Sequence, residues 1–454
     1  MKHPIISLAA AFIALFQLLS APPARAQQNI AEIRAELDAV KAQYEARIQA
    51  LERRLNAAEQ SLAIQQTAPI PPPASAPAAA TGSYASAGND YNPAIGVIVN
   101  GAFRAYEKDP KDYHIQGFPL GGEAGLGDEG FSIGESEFVF TSNVDDWFYA
   151  RVTAAMEQED GEFETSLEEA FLDTLSLPAG TTLRFGRFYS SVGYLNDKHP
   201  HTWDFADQAL PYSAFMGIQY GDDGIQFRWL APIAIFLELG AEAFRGGNYP
   251  AAGDGHNGVG TQTLFANMGG DVGLSNSWTA GLSWLDFDAR DRTAGDEGDP
   301  LRFDGTTRMY LADFVWKWAP NGNIRDRNLI FQTEYLWRNE DGKYLLSGFD
   351  APRPIDSDSS GWYAQLIYQW MPRWRAGLRV DGLSLDDPGS QFAGTPLEDA
   401  GDDPLRYSLM FDYSHSEFSR IRLQFERDET GPENNNQLTL QYIMSIGAHG
   451  AHEF

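Results

Sequence analysis

The sequence predicts an all-β protein: a sixteen-stranded antiparallel transmembrane β-barrel preceded by a short α-helical coiled coil. Three observations predict it. Apolar residues recur at every second position through most of 93–454, the connections between these runs alternate short and long, and large aromatic rings stand at both ends of several runs. Successive strand side chains point to opposite faces, so each run has one apolar and one polar face. The stretch RWRAGLRVDGLS at 373–384 is representative: Trp374, Ala376, Leu378 and Val380 share one parity, while Arg375, Arg379 and Asp381 share the other.

Composition narrows the function classes. Among 454 residues, 33 Lys+Arg stand against 63 Asp+Glu, a formal charge of −30, which leaves little to neutralise phosphates and excludes nucleic acid as a partner. There are no cysteines, which removes disulfides, thiol catalysis and Cys-based zinc sites.

Residues 1–26 read as a signal peptide: Lys2, an apolar core of about sixteen residues, then Ala24-Arg25-Ala26 as a small-x-small cleavage pattern. The apolar run falls short of the ~20 residues that a spanning helix needs. Residues 28–66 place Ile30, Ile33, Leu37, Val40 and Tyr44, then Ile48, Leu51, Leu55, Ala58 and Leu62, on one narrow seam with a stutter at Tyr44. That pattern is a self-associating stalk of roughly 50 Å at 1.5 Å per residue. Residues 67–92, rich in Pro, Ala, Ser and Gly, form a linker without core-forming side chains.

The barrel follows. Its apolar faces begin with Ile95/Val97/Val99/Phe103, Phe138/Phe140, Phe148/Ala150/Val152/Met156, Phe171/Leu175/Leu177 and Leu183/Phe185. Ile225/Phe227/Trp229, Ile233/Ile235/Leu237/Leu239, Leu264/Ala266/Met268, Trp278/Ala280/Leu282/Trp284 and Tyr310/Phe314/Trp316/Trp318 continue the series. Leu329/Phe331/Tyr335/Trp337 and Trp362/Ala364/Leu366/Tyr368/Trp370 precede the 373–384 strand, and Leu405/Tyr407/Leu409/Phe411/Tyr413, Ile421/Leu423/Phe425 and Leu438/Leu440/Tyr442/Met444/Ile446 complete sixteen. Short connections such as NVDD, LPAG and MP alternate with long ones near 107–130, 157–165, 189–222, 245–260, 288–307, 339–360, 385–404 and 428–436. An outer-membrane barrel sorts its connections this way, with turns on the periplasmic side and loops outside, whereas a Greek-key sandwich has no reason to.

Aromatic pairs decide which face is wet. Trp278 and Trp284, Trp362 and Trp370, and Tyr407 and Tyr413 bracket their strands, as rings at two membrane interfaces do. The apolar parity then meets lipid and the charged parity lines a lumen, which sixteen strands leave wide enough for water. Phe454 ends the chain as a terminal aromatic of the kind that barrel-assembly machinery reads.

The lumen parity carries Arg104, Arg151, Arg184, Arg228, Arg375, Arg379, Arg406, Arg420 and Arg422, with Glu168, Glu238, Glu242, Asp313, Glu334, Asp381 and Asp412 as its acids. Charges of both signs would orient polar solutes and filter ions, or pair across neighbouring strands. The arginines favour anions. The loops favour cations, since 157–164 carries five acids and 386–404 six, with no base in either, and such loops also suit divalent ions that bridge lipopolysaccharide. The sign of selectivity stays open at this stage.

The third loop is the longest, and Asp197, Lys198, His199, His201, Asp204 and Asp207 are its constriction candidates. His199 and His201, two apart beside Asp204, form a thin metal signal that a plain polar loop explains better, so no metal or other cofactor is expected. The same holds for His449 and His452. No nucleophile–base set or carboxylate pair marks an enzyme.

The stretch PAGTTLRFGRFYSSVGYLND and the later SAFMGIQYGDDGIQFRWL resemble the phosphate-selective porin O/P family around its constriction loop. The resemblance covers 93–454 in layout and implies a trimeric sixteen-stranded channel for passive uptake. Phosphate selectivity is not implied, since that family's constriction lysines are represented only by Lys198. The stalk is similar to that of trimeric sugar porins, which implies a three-stranded coiled coil in the periplasm. The expected protein is a homotrimeric outer-membrane diffusion channel for small hydrophilic solutes or ions. Its partners would be outer-membrane lipid and lipopolysaccharide, the assembly machinery, and peptidoglycan through the stalk. A dedicated anion, sugar or metal-ion channel and an outer-membrane to cell-wall tether are the alternatives.

Overall fold

A computed structural model describes residues 93–447, apart from 160–161, 253–257, 296–299, 347, 400 and 402. The signal peptide, stalk, linker, His449, His452 and Phe454 lie outside the described residues.

The described strands are β1 (Ala94–Tyr106), β2 (Gly130–Ile133), β3 (Ser136–Asn143), β4 (Phe148–Glu159), β5 (Glu162–Thr174) and β6 (Thr181–Tyr189). They continue with β7 (Gly221–Leu230), β8 (Phe236–Phe244), β9 (Thr261–Val272), β10 (Asn276–Ala294), β11 (Leu301–Trp318) and β12 (Asn328–Leu345). The last are β13 (Arg353–Met371), β14 (Trp374–Leu385), β15 (Leu405–Ser416), β16 (Ser419–Glu429) and β17 (Asn435–Gly447). β2 and β3 both pair with β1, the strands from β3 onward pair antiparallel with their sequence neighbours, and β1 closes the circle by pairing with β17.

Seventeen segments make sixteen staves because β2 and β3 are one stave interrupted. Ile98 opposes Glu137 while Gly101 opposes Ile133, so three residues, 134–136, face two on β1. This is a bulge, which bends a strand and re-aims its side chains. A second bulge lies in β5, where Thr153 opposes Glu169 and Ala154 opposes Leu167, leaving Glu168 as the extra residue.

The predicted parity holds on most staves. In β14, Trp374 and Leu378 are exposed outward while Arg375, Arg379 and Asp381 are buried inside. The outer face is an apolar belt: Phe140, Val152, Phe227, Leu264, Leu282, Leu366, Leu378, Phe411, Phe425 and Leu440 are all exposed. No aqueous barrel tolerates such a continuous surface, whereas lipid requires it. Closure leaves no open sheet edge among the described strands, which is the condition for a sheet to cross hydrocarbon.

Three expectations change. First, β5 runs in the opposite parity: Phe171 is buried inside and Leu172 is exposed outward, because Phe171 stands opposite the inward Arg151. Second, much of 157–165, 288–307 and 339–360 is strand rather than loop, since β4–β5 and β10–β13 extend as hairpins past the apolar belt. Periodic burial in lipid stops there, but ladder hydrogen bonding does not. Third, the chain between β7 and β8 turns over 231–235, so Ile233 and Ile235 precede the strand.

Leu282, at 66% exposure between Trp278 and Trp284, tests the belt. Leu282→Arg is expected to lower barrel stability by about 2–4 kcal/mol, measured by denaturant unfolding in lipid vesicles. Ser283, one residue on and facing inward, is expected to tolerate Ser283→Thr within about 0.5 kcal/mol.

Candidate functional site

The connection between β6 and β7, residues 190–220, folds into the barrel instead of standing above it. Its backbone is set locally. Gly193 adopts φ +63, and a Cβ there would strike the Tyr212 hydroxyl and the Glu334 carboxylate. Pro200 opens a 3-10 turn over Pro200–Thr202. Pro211 sits in the first turn of the helix α1 (Leu210–Met216), which ends on Gly217 at φ 66. Proline at the start and a left-handed glycine at the end are what a short helix needs to begin and stop sharply.

Three parts of the wall hold this loop. On β14–β16, arginines meet its acids and carbonyls. Arg375 donates to Asp204 at 2.8 Å and to Asp412 at 2.5 Å. Arg379 donates to the Asp207 carboxylate at 2.5 Å and to Asp381 at 2.9 Å. Arg406 reaches Asp207 at 2.9 Å and the Gln208 carbonyl at 2.7 Å. Arg420 and Arg422 donate to the Trp203 carbonyl, and Arg422 also to that of Phe205 at 2.8 Å. Asp381 in turn accepts the Leu210 amide at 3.0 Å, at the start of α1.

Elsewhere on the wall, acids receive the loop's donors. Glu334 accepts the Tyr194 and Leu195 amides at 3.0 and 3.1 Å, and the Tyr212 and Tyr363 hydroxyls at 2.8 and 2.6 Å. Glu242 accepts the Ser191 amide at 2.9 Å, the Gln226 side chain at 2.6 Å, and the hydroxyls of Ser190 and Thr263. At the third anchor, His199 lies 2.9 Å from Glu169 and His201 lies 2.6 Å from Glu137.

Apolar packing seals the upper part of this assembly. Leu210, Tyr212, Phe215 and Met216 are fully buried against Leu285, Phe287, Met309, Leu311, Leu336, Tyr363 and Leu383, which face inward from β10–β14. Ile115 and Phe118 of the first loop join the same cluster. The lumen is therefore partly a packed core, not the open aqueous tube expected from strand number alone. Inward apolar residues need cover, and the third loop supplies it.

Toward the short-turn end the packing gives way to a cavity of about 770 Å³. The loop's Tyr194, Asp197, Lys198 and Asp204 line it, with Asp271 and Lys317 from the wall and the turns after β9 and β11 below. Electrostatics fix the charge states of the loop. Burial alone would raise the Asp207 pKa, but Arg379 and Arg406 hold it below the usual aspartate range. Burial alone would lower that of His199, but Glu137, Glu168 and Glu169 push it up to about 10.

No protein-family model matches this chain. An uncharacterised protein of Aquifex aeolicus (strain VF5) is 32% identical over 373 residues, covering 76% of this chain and 74% of the relative. The chain belongs to that protein's family. Among solved structures, Pseudomonas putida OprB at high pH aligns with this family member at TM-score 0.50 and 11% identity, covering 78% of this chain and 94% of OprB. The outer membrane channel DcaP of Acinetobacter baumannii aligns at TM-score 0.49 and 13% identity, over 78% of this chain and 97% of DcaP. The likeness to OprB is one of barrel fold.

In this family member the charges named from sequence fall into distinct groups. Arg375, Arg379, Arg406, Arg420, Arg422, Asp381, Asp412, Glu242 and Glu334 gather around the third loop, as does Arg151 through Glu169 at 3.1 Å. Arg184 pairs with Asp173 at 2.8 Å, while Arg228 lies 3.5 Å from Asp173 and 3.9 Å from Glu238, so these charges serve cross-strand pairs away from the loop. Arg104 donates to Ser132, and Asp313 is buried beside Gly281. Asp197 and Lys198 pair with each other at 3.2 Å. Sequence reading missed Glu137 and Glu169, and also the buried Arg292–Glu340 pair at 2.5 Å. Alternation on β12 places Glu340 on the inner parity, but Arg292 shares the outer parity of Trp278 and Leu282 and turns inward only through the bulge between Ala289 and Arg292, and both lie in segments that read as loops.

Removing a partner from a buried ion pair leaves the other charge uncompensated, at a cost of about 3–5 kcal/mol. The double change Arg379→Ala with Arg406→Ala is expected to undock 196–209, raising protease nicking there by more than about tenfold while the barrel stays folded on unheated gels. Because the Asp207 pKa is depressed in the folded state, its contribution is complete above the ordinary aspartate range and is lost as pH falls through the lowered value. Nicking of the parent should therefore be unchanged from pH 7 to 5 and rise only below about pH 4.

Proposed function

We propose that this protein is an outer-membrane porin, a narrow diffusion channel for small hydrophilic solutes, with the third loop as its constriction. One observation carries the reading: a loop docked across the lumen of a lipid-facing barrel above a polar cavity at the short-turn end. A barrel that served only as an anchor would not need its longest loop held inside by ion pairs and charged hydrogen bonds from three adjacent staves.

The docking arrangement also bears on selectivity. The arginines on β14–β16 spend their charge on Asp204, Asp207 and backbone carbonyls of the loop, so they are not a free anion-selective ring. Lys198, Lys317, Arg151, Arg375 and Arg420 face the cavity together with Asp197, Asp204 and Asp271, and since Arg151 and Arg375 are tied up in ion pairs with Glu169, Asp204 and Asp412, this supports a mixed-charge constriction with weak ion preference. In this reading the short turns face the periplasm, residues 28–66 form a trimeric stalk there, and the acidic loops meet lipopolysaccharide through divalent ions.

The apolar packing around α1 favours a second reading, in which the barrel is sealed and the protein tethers the outer membrane to the cell wall. Planar-bilayer recording of the detergent-purified full chain separates the two. A porin is expected to give small conductance steps in groups of three, and Lys198→Gln with Lys317→Gln should move the reversal potential in a KCl gradient toward cation preference. Silence from both the parent and the Arg379→Ala, Arg406→Ala variant would leave the tether reading standing.

A further inference from the structure

The two bulges and the third loop bring four metal-ligand side chains to one point. Glu135 sits in the β2–β3 interruption beside Glu137 at the head of β3, Glu168 is the extra residue of the β5 bulge, and His199 caps the Pro200–Thr202 turn. One ligand atom from each lies within 4.8 Å of all the others. The His199 Nδ1 is 3.3 Å from Glu137 Oε2 and 3.5 Å from Glu168 Oε2. A tetrahedral ion with bonds of about 2.0–2.1 Å needs ligand atoms about 3.3–3.4 Å apart.

The hydrogen bonding is complementary. Glu137 gives Oε1 to His201 at 2.6 Å, Glu168 accepts the Tyr189 hydroxyl on Oε1 at 3.3 Å, and His199 meets Glu169 through Nε2 at 2.9 Å. The remaining atoms, Glu135 Oε1, Glu137 Oε2, Glu168 Oε2 and His199 Nδ1, are buried without a hydrogen-bond partner. The Glu137 and His199 side chains are only 0% and 6% exposed, so solvent does not satisfy them. A buried polar atom without a partner is costly, and four aimed at one centre call for a shared occupant, which on His199 takes the place of the Nδ1 proton that the same carboxylates otherwise hold there.

We propose that Glu135, Glu137, Glu168 and His199 bind one divalent transition-metal ion that fastens the third loop to the barrel wall. One imidazole among three carboxylates suits Zn²⁺ or Mn²⁺ better than Ca²⁺ or Mg²⁺, which take oxygen alone. Glu169 on the far nitrogen of His199 is the carboxylate–histidine support that orients a metal-bound imidazole, and its ion pair with Arg151 holds it in place. The binding is independent of whether the barrel conducts.

The test is Zn²⁺ titration of the chelator-stripped, detergent-solubilised full chain by calorimetry, with bound metal counted by mass spectrometry. One tight equivalent per chain is expected in the presence of millimolar Mg²⁺. It should be lost, or weakened at least a hundredfold, in Glu137→Gln and Glu168→Gln and kept in the His449→Ala, His452→Ala double variant. The absence of a tight equivalent, or one that only the C-terminal histidine variant removes, overturns the proposal. Should the glutamine variants fail to fold, X-ray absorption of the Zn²⁺-loaded parent decides. One imidazole among oxygen ligands supports the site, and two or more imidazoles overturn it.

Discussion

The β14–β16 arginines are the constraint on which the rest of the lumen depends. Arg375, Arg379, Arg406, Arg420 and Arg422 lie on adjacent staves, are nearly fully buried, and cannot shed their charge. Left alone inside a low-dielectric barrel they would be expensive, so the lumen has to supply acids and carbonyls in matching positions. Asp381 and Asp412 supply part, and the third loop supplies the rest with Asp204, Asp207 and the carbonyls of Trp203, Phe205 and Gln208. Docking the loop and neutralising the wall are thus one event. The loop's length follows from the same need, because it must leave β6, pass the acids of β8 and β12, run along the arginines and return to β7.

Two kinds of irregularity make that path workable. The β5 bulge turns Glu168 inward next to Glu169, and the break between β2 and β3 does the same for Ser136 next to Glu137. A regular strand could not show consecutive side chains to the same face. The barrel is therefore least regular where it grips the tip of the loop, and its regular staves carry the lipid contact.

Much of the fold was legible because lipid enforces it. Outward residues such as Leu282, Leu378 and Phe411 had to be apolar, so alternation gave the face of most staves and the closed sixteen-stave count. The exception, β5, failed for a physical reason. Phe171 is apolar yet faces inward, and the bulge shifts parity within the same strand, so counting by two crosses from one face to the other. The inward apolar residues Leu285, Phe287, Leu311 and Leu336 were likewise silent, since a sequence shows that a side chain is apolar but not which apolar surface it meets. At the site, the arginines and the loop acids were visible as separate lists. Their pairing depends on where a 31-residue excursion returns, and nearest-neighbour patterns do not encode that.

The seam between β1 and β17 ties the first stave to the last through eleven register positions, from Gly96–Gly447 to Tyr106–Gln437. Contacts of that sequence separation form late and slowly. Until the final stave is in place, β1 and β16 both present unpaired edges, which hydrocarbon does not tolerate and which other chains readily join. The circle therefore makes biogenesis an all-or-none problem. A chain arrested anywhere before its last stave is not a smaller barrel but an open sheet, and the cell must either shelter that sheet or destroy it.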